Sequence, residues 1–399
     1  MKSIKDFKLS TLLELTNAIN NNLPEELLFT TFGEILQEKL YIGKAVIFLK
    51  QDDEWSIPLK YGNHRSSMTP QLEEELRGVR DIKVLDTSDE GNPNSFDVVI
   101  PVYHHQHLLA YLFLRDLDEN ALGTSPIIKH LSFIQTLANI TSVAVENRRL
   151  ERKNIERERM LQELHLASQM QSLLLPKVLP NNDRLKVSAY YQPHSEVGGD
   201  FYDIITVSED EIIICMADVS GKGMSAAIIM ANFQANLRAL LKVETDLVKL
   251  TELLNEIVWD NAMGERYITC FLAKYNCASH ELQYVNAAHP AGMLIHDGQA
   301  TELPPTCTGI GMFEEIPNIK METKKVDPKT LFILYTDGIS ETENEEDLQF
   351  EQVDMLASFI DAGSQEIDKV NELIIERLDA FRNGVPYIDD VALVSCLLL

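Results

Sequence analysis

The 399-residue sequence has few tryptophans (2), few cysteines (5) and few basic side chains, with 35 Lys and Arg against 62 Asp and Glu. It holds no apolar run of about 18 residues, so no membrane span is expected. Cys215, Cys270, Cys277, Cys307 and Cys396 form no C-x-x-C pair, and their odd number argues against a full disulfide framework. Reduced thiols in a cytoplasmic chain are the expectation. The stretch MKSIKDFKLSTLLELTNAI is interrupted by polar residues and precedes no small-residue cleavage site, so it does not read as a signal peptide. A formal net charge of −27 sets the surface against nucleic-acid phosphates and anionic membrane, which excludes both as default partners.

The rest of the composition is globular: 45% hydrophobic and 24% charged residues, on a length that suits two or three domains. The acidity is uneven. Residues 186–399 carry 14 of the basic and 36 of the acidic side chains. That excess serves solubility or the binding of cations.

Three segments follow from patterning. Leu12, Leu13, Leu15 and Ile19, then Leu27, Leu28, Phe32, Ile35 and Leu36, recur at helical spacing, with Pro24 opening the second helix. KAVIFLK at 44–50 reads as a buried strand and DDEW at 52–55 as a turn. Residues 96–105 and 108–116 form a hairpin, and a long helix runs from Ile127 to Val145. His104, His105 and His107 fall on the hairpin surface, and Phe48, Trp55 and Tyr111 in the core. From Asn147 to Ser172 the chain is a charged helix without Gly or Pro, stopped by Pro176 and Pro180. It reads either as a solvated connector held by Glu/Arg pairs or as a short dimeric coiled coil. Residues 186–399 then alternate short strands with helices at 223–242, 246–262, 350–362 and 366–382. Several strands are joined by hairpins, which predicts antiparallel sheets with helices outside, an α+β class.

Four acidic points share a context, each at a strand end beside glycine or another acid. They are Asp200 in GGDFYD, Asp218 in MADVSGKG, Asp337 in LYTDGISE, and Asp389–Asp390 in YIDDVAL. Crowded carboxylates repel one another, and a divalent cation removes that conflict. Oxygen ligands without Cys or His favour Mg²⁺ or Mn²⁺ over zinc. GKG at 221–223 lacks the spacing of a P-loop.

GGDFYD, DVSGKGMSAA, YITCFLAKYN, LQYVNAAHPAGMLI, LFILYTDGISE and IDDVALV stand in the order found in SpoIIE-like members of the metal-dependent (PPM) serine/threonine phosphatases. The resemblance spans about residues 175–399 and includes the lead-in LLLPKVLP. It implies an αββα sandwich with two metal ions, Mn²⁺ or Mg²⁺, at one edge. It also implies Asp200, Asp218, the Val219 carbonyl and Asp337 as ligands, with Asp389 or Asp390 completing the set. Asp203 would at most support these ligands, and Gly199, Gly221 and Gly338 would let backbone approach the ions. The implied reaction is phosphomonoester hydrolysis by water, with no protein nucleophile. Two departures stand out: NAAH places Ala288 where glycine is usual, and DDVA places Ala392 where threonine is usual. His289 is expected to be structural.

LSTLLELTNAINNNLPEELLFTTFGEIL, KAVIFL, VVIPVYHHQHLLAYLFLRD and FIQTLANITSVAVENRRL resemble a GAF sensor. The organisation expected is therefore a GAF-like α/β sensor at 8–146, a helical linker at 147–175 and a phosphatase domain at 176–399. The function expected is a regulated phosphoserine/phosphothreonine protein phosphatase, acting as a homodimer on a phosphorylated anti-sigma-factor antagonist of bacterial partner switching, with a sensor ligand of unknown identity. The alternative is a non-catalytic phosphoprotein-binding scaffold that keeps the metal cleft.

Overall fold

Period-two burial organises both parts of the chain. The computed structural model describes residues 4–52, 54–62, 69–85, 96–116 and 125–399. These divide into two compact units, Met1–Glu158 and Arg159–Leu399.

In the first unit, helices α1 (Ile4–Asn20) and α2 (Glu25–Glu34) precede strands β1 (Lys44–Gln51) and β2 (Glu54–Tyr61). Pro24 is the N-cap of α2, one residue earlier than the first-turn position expected. Trp55 lies within β2, and Asp53 of the expected turn lies outside the described residues. A short helix α3 (Pro70–Leu76) and strand β3 (Lys83–Val84) lead to the hairpin β4 (Val98–His104) and β5 (His107–Arg115). The sheet order is β2-β1-β5-β4-β3, antiparallel throughout. Alternate residues of β1 go to opposite faces: Ala45, Ile47 and Leu49 join the main core with Leu28, Phe32 and Leu137, while Val46 and Phe48 meet Leu76 and Phe113. Trp55 stacks on Tyr111, and both line a cavity of about 410 Å³ together with Lys50, Glu73 and Arg77.

One helix, α4 (Pro126–Ser172), runs through the division between the units without a break. Sequence patterning divides it at Asn147, where the apolar face ends, but the backbone continues because no Gly or Pro intervenes.

The second unit contains two five-stranded sheets. One has the order β13-β10-β9-β8-β7, from β7 (Phe201–Thr206), β8 (Glu211–Val219), β9 (Ile268–Asn276), β10 (Glu281–Ala287) and β13 (Glu322–Lys325). The other has the order β12-β11-β14-β15-β6, from β6 (Leu185–Gln192), β11 (Gly292–His296), β12 (Gln299–Leu303), β14 (Thr330–Tyr335) and β15 (Val391–Leu398). Ile212, Ile214 and Met216 of β8 pack against Phe332, Leu334, Ala392 and Val394 between the sheets. The alternate residues Ile213, Cys215 and Ala217 face α5 (Met224–Leu240) and α6 (Leu247–Ala262). Leu331, Ile333 and Leu393 face α9 (Met355–Ala362) and α10 (Ile367–Arg382) on the outer side of the second sheet. The layers are therefore helix, sheet, sheet, helix, with three buried interfaces. The segment expected as one helix at 350–362 is two, α8 (Phe350–Val353) and α9, broken at Asp354 where φ is −134°. The remaining helix, α7 (Asp337–Ser340), is a single turn directly after β14.

Candidate active site

Strand parity decides which acids meet. Asp200 precedes β7 and shares the parity of Tyr202; Asp218 is the penultimate residue of β8, with the parity of Met216; Asp390 precedes β15 with the parity of Ala392. Tyr202, Met216 and Ala392 all face the inter-sheet core, so these three carboxylates converge at one end of the sandwich. Asp337 joins them from the first position of α7.

Thr336 ties the two sheets together there. Its hydroxyl donates to Asp200 Oδ2 at 2.6 Å and accepts from Ala392 N at 3.0 Å. Asp390 accepts from two backbone amides, Oδ1 from His194 N at 2.7 Å and Oδ2 from Gly199 N at 2.6 Å. Asp389 is less buried. Its Oδ1 accepts from Asp390 N at 2.8 Å, and its Oδ2 pairs with Lys222 Nζ at 2.8 Å. Lys222 also donates to the Ile388 carbonyl.

The electrostatics follow from this crowding. Burial, then the charges of Asp218 and Asp390, push the Asp200 carboxyl well above the usual range. Burial, then Asp337, push Asp218 up to about 7. Burial, then Asp389, push Asp337 up to about 6. Burial also raises Asp390, against the opposing pull of the His194 and Gly199 amides. The Asp389 contact raises Lys222. An all-oxygen set that resists ionisation without added positive charge suits hard divalent cations. The Val219 carbonyl opens onto the same place, 3.0 Å from where a Cβ on Gly199 would stand. Among the described residues, no three or more His, Cys, Asp or Glu side chains are placed so that they could together hold a metal ion. Asp218 shares a hydrogen bond with Asp200, and Asp337, Asp389 and Asp390 act on it through their charges.

Other expected residues sit apart. Asp203 has the opposite parity to Asp200 and points to α5, where Arg238 Nε donates to Oδ2 at 2.7 Å and Nη2 to Oδ1 at 2.9 Å. It holds α5 to β7. Space beside two of the expected glycines is taken by protein: a Cβ on Gly221, at φ +88°, would lie 1.6 Å from Arg266 Nη1, and one on Gly338 would lie 1.9 Å from the Asp390 carbonyl. His289 is buried, donates its backbone N–H to Asn286 Oδ1 at 2.8 Å, and has Nδ1 2.8 Å from Thr269 Oγ1. It is a turn residue, as its sequence context suggests.

Thr336, Tyr191 and Gln171 escape sequence reasoning. Thr336 precedes the TDG aspartate with the parity of Leu334, a signal present in the strand pattern. Tyr191 and Gln171 reach the site from β6 and α4, and no local spacing marks them.

Residues 208–397 match the family model of Stage II sporulation protein E, SpoIIE. The chain is 27% identical over 187 residues to "Phosphoserine phosphatase RsbU" of Bacillus subtilis, covering 46% of this chain and 55% of that protein. It is 29% identical over 182 residues to "Phosphoserine phosphatase RsbP" of the same organism, covering 44% and 45%. The chain spans about half the length of the curated relatives it matches. Among solved structures, the SiaA-PP2C domain of Pseudomonas aeruginosa superposes with a TM-score of 0.55 at 18% identity, covering 61% of this chain and 98% of that one. That likeness gives the second unit a PP2C-like fold.

Proposed function

We propose, from a second unit that carries a SpoIIE-type PP2C phosphatase domain, that this chain is a regulated, metal-dependent phosphoserine/phosphothreonine protein phosphatase. The observation that carries this reading is the convergence of Asp200, Asp218 and Asp337 at one end of the sandwich, each with its carboxyl raised by burial and by acidic neighbours. Together with Asp389 and the Val219 carbonyl, they would hold two Mn²⁺ or Mg²⁺ ions. Asp390 is assigned a different task, because both its oxygens already accept backbone amides. When bound, the ions supply Lewis acidity and charge neutralisation for phosphomonoester hydrolysis. The chain's own contribution is to orient: Thr336 fixes Asp200, and Asp390 fixes the backbone ahead of it. Lys222, half exposed at the rim, offers positive charge to an incoming phosphate.

The substrate we assign is a phosphorylated anti-sigma-factor antagonist of a partner-switching system in the cytoplasm, on the motif resemblance and the phosphoserine phosphatase relatives. The first unit is read as a GAF-like sensor, on its five-stranded antiparallel sheet with α1, α2 and α4 on one face and the Trp55–Tyr111 cavity on the other. The largely exposed helix 151–170, with Leu161, Leu166 and Met170 open to solvent, supports a homodimer. Among the described residues, no helix is long and apolar enough to cross a membrane.

The test is phosphate release from a phosphoserine protein or p-nitrophenyl phosphate, with and without Mn²⁺. Metal-dependent release in wild type and its loss in Asp218→Asn are expected. No release in wild type, with binding of the phosphoprotein retained, would favour the scaffold reading instead.

A further inference from the structure

We propose that Gln171 is a positioning residue that sets the loop bearing Asp200, and so sets the metal affinity of the site. This rests on the reading of the carboxylate cluster as a cation seat.

Gln171 lies in the last turn of α4, and it is the one buried residue of that helix after Val145. A buried glutamine at the end of an otherwise exposed stretch calls for a partner. The partner is the backbone of a single residue. Gln171 Nε2 donates to the Gly198 carbonyl at 2.6 Å, and Gly198 N donates back to Gln171 Oε1 at 3.1 Å. The carboxamide thus acts as a peptide group would in an antiparallel ladder and satisfies both backbone groups of Gly198.

Gly198 has no freedom on its other side. A Cβ there would stand 2.2 Å from the Tyr191 hydroxyl and 2.3 Å from Asp390 Oδ2. The next residue, Gly199, donates its N–H to Asp390 Oδ2, and the residue after that is Asp200. Two consecutive residues ahead of Asp200 are therefore held from opposite sides, by Gln171 at the end of α4 and by Asp390 at the start of β15. Glycines hold no shape of their own, so the loop's conformation is imposed by these contacts.

The test uses the full chain as wild type, Gln171→Ala and Gln171→Met, the last filling the buried space without either hydrogen bond. Mn²⁺ alone is the probe, with binding followed by the EPR signal of the free ion. Thermal unfolding in EDTA and p-nitrophenyl phosphate hydrolysis across Mn²⁺ concentrations are measured in parallel. We expect Mn²⁺ binding weaker by about 10–100-fold in both variants, as when support behind a metal ligand is lost, with hydrolysis partly recovered at high Mn²⁺. A merely structural glutamine would lower the melting temperature and leave Mn²⁺ affinity of the folded chain unchanged. That result, in either folded variant, overturns this inference alone. A wild-type chain that binds no Mn²⁺ overturns both this and the phosphatase reading.

Discussion

Asp390 Oδ2 accepts the backbone N–H of Gly199 at 2.6 Å across 191 positions of the chain, while the adjacent Asp389 turns its Oδ2 to Lys222. Two neighbouring aspartates thus have different tasks. Asp390→Asn leaves one acceptor where two amide donors converge, and its NH₂ would confront the other. A loss of about 2–3 kcal/mol in unfolding free energy is expected, read by urea denaturation. Asp389→Asn removes only a partly exposed ion pair and should change stability by less than about 1 kcal/mol. It should nevertheless abolish Mn²⁺-dependent phosphate release. If Asp389→Asn retains release and Asp390→Asn retains stability, the assignment is reversed.

Asp218, pushed up to about 7, is a stability liability in the metal-free chain. At pH 8 it is ionised against burial and the charges of Asp337, Asp389 and Asp390, with only a hydrogen bond to Asp200 in its favour. Asp218→Asn removes that charge. Its melting temperature in EDTA at pH 8 should rise by several degrees, at roughly 2–4 °C per kcal/mol for a unit of this size. Added Mn²⁺ should stabilise wild type and do little for the variant. Equal melting temperatures in EDTA would mean that the carboxylates do not repel as described.

Ala288 takes φ +52°, the left-handed region, in the turn where Asn286 Oδ1 accepts from His289 N. A Cβ in that region costs about 1–2 kcal/mol, partly offset by the greater backbone freedom glycine has in the unfolded chain. Ala288→Gly should therefore stabilise the chain by about 0.5–1 kcal/mol without altering turnover. A destabilised variant would show that the alanine methyl packs more favourably than its backbone is strained.

The legible parts of this protein are those that one strand or helix encodes by itself. Eight strands of the second unit are legible because strands such as EIIICMADV are buried on both faces and bounded by turns. The strands QATEL and ETKK are not, since both are short, polar sheet edges with little burial to pattern them. The aspartates at strand ends are legible as a set because glycine or a second acid marks each one. Parity adds a distinction their motifs hide: three positions separate Asp200 from Asp203, which puts them on opposite faces, one in the cleft and one against Arg238. Gln171 and Thr336 are not legible as site residues, because their roles depend on partners 27 and 136 positions away. α4 is continuous across the change of face from apolar to charged, which alters what the helix touches but not its backbone.

His289 links acid stability to the sandwich core. Burial pushes its imidazole down to about 3, against a smaller opposing pull from the Tyr335 backbone. The folded chain keeps the ring neutral, while the unfolded chain protonates it below about 6.5. Between about pH 3 and 6.5 the unfolded state therefore binds the additional proton, and stability from this group falls as pH falls through that window. At pH 4.5 the loss is about 2–3 kcal/mol, on the order of 1.4 kcal/mol per pH unit. The raised carboxylates act in the opposite direction, so the comparison must be with a variant that keeps them. His289→Gln should be less stable than wild type at pH 7, having lost the Thr269 contact. Its unfolding free energy should fall less steeply from pH 6.5 to 4. Parallel slopes for the two proteins would show that His289 is not held neutral in the fold.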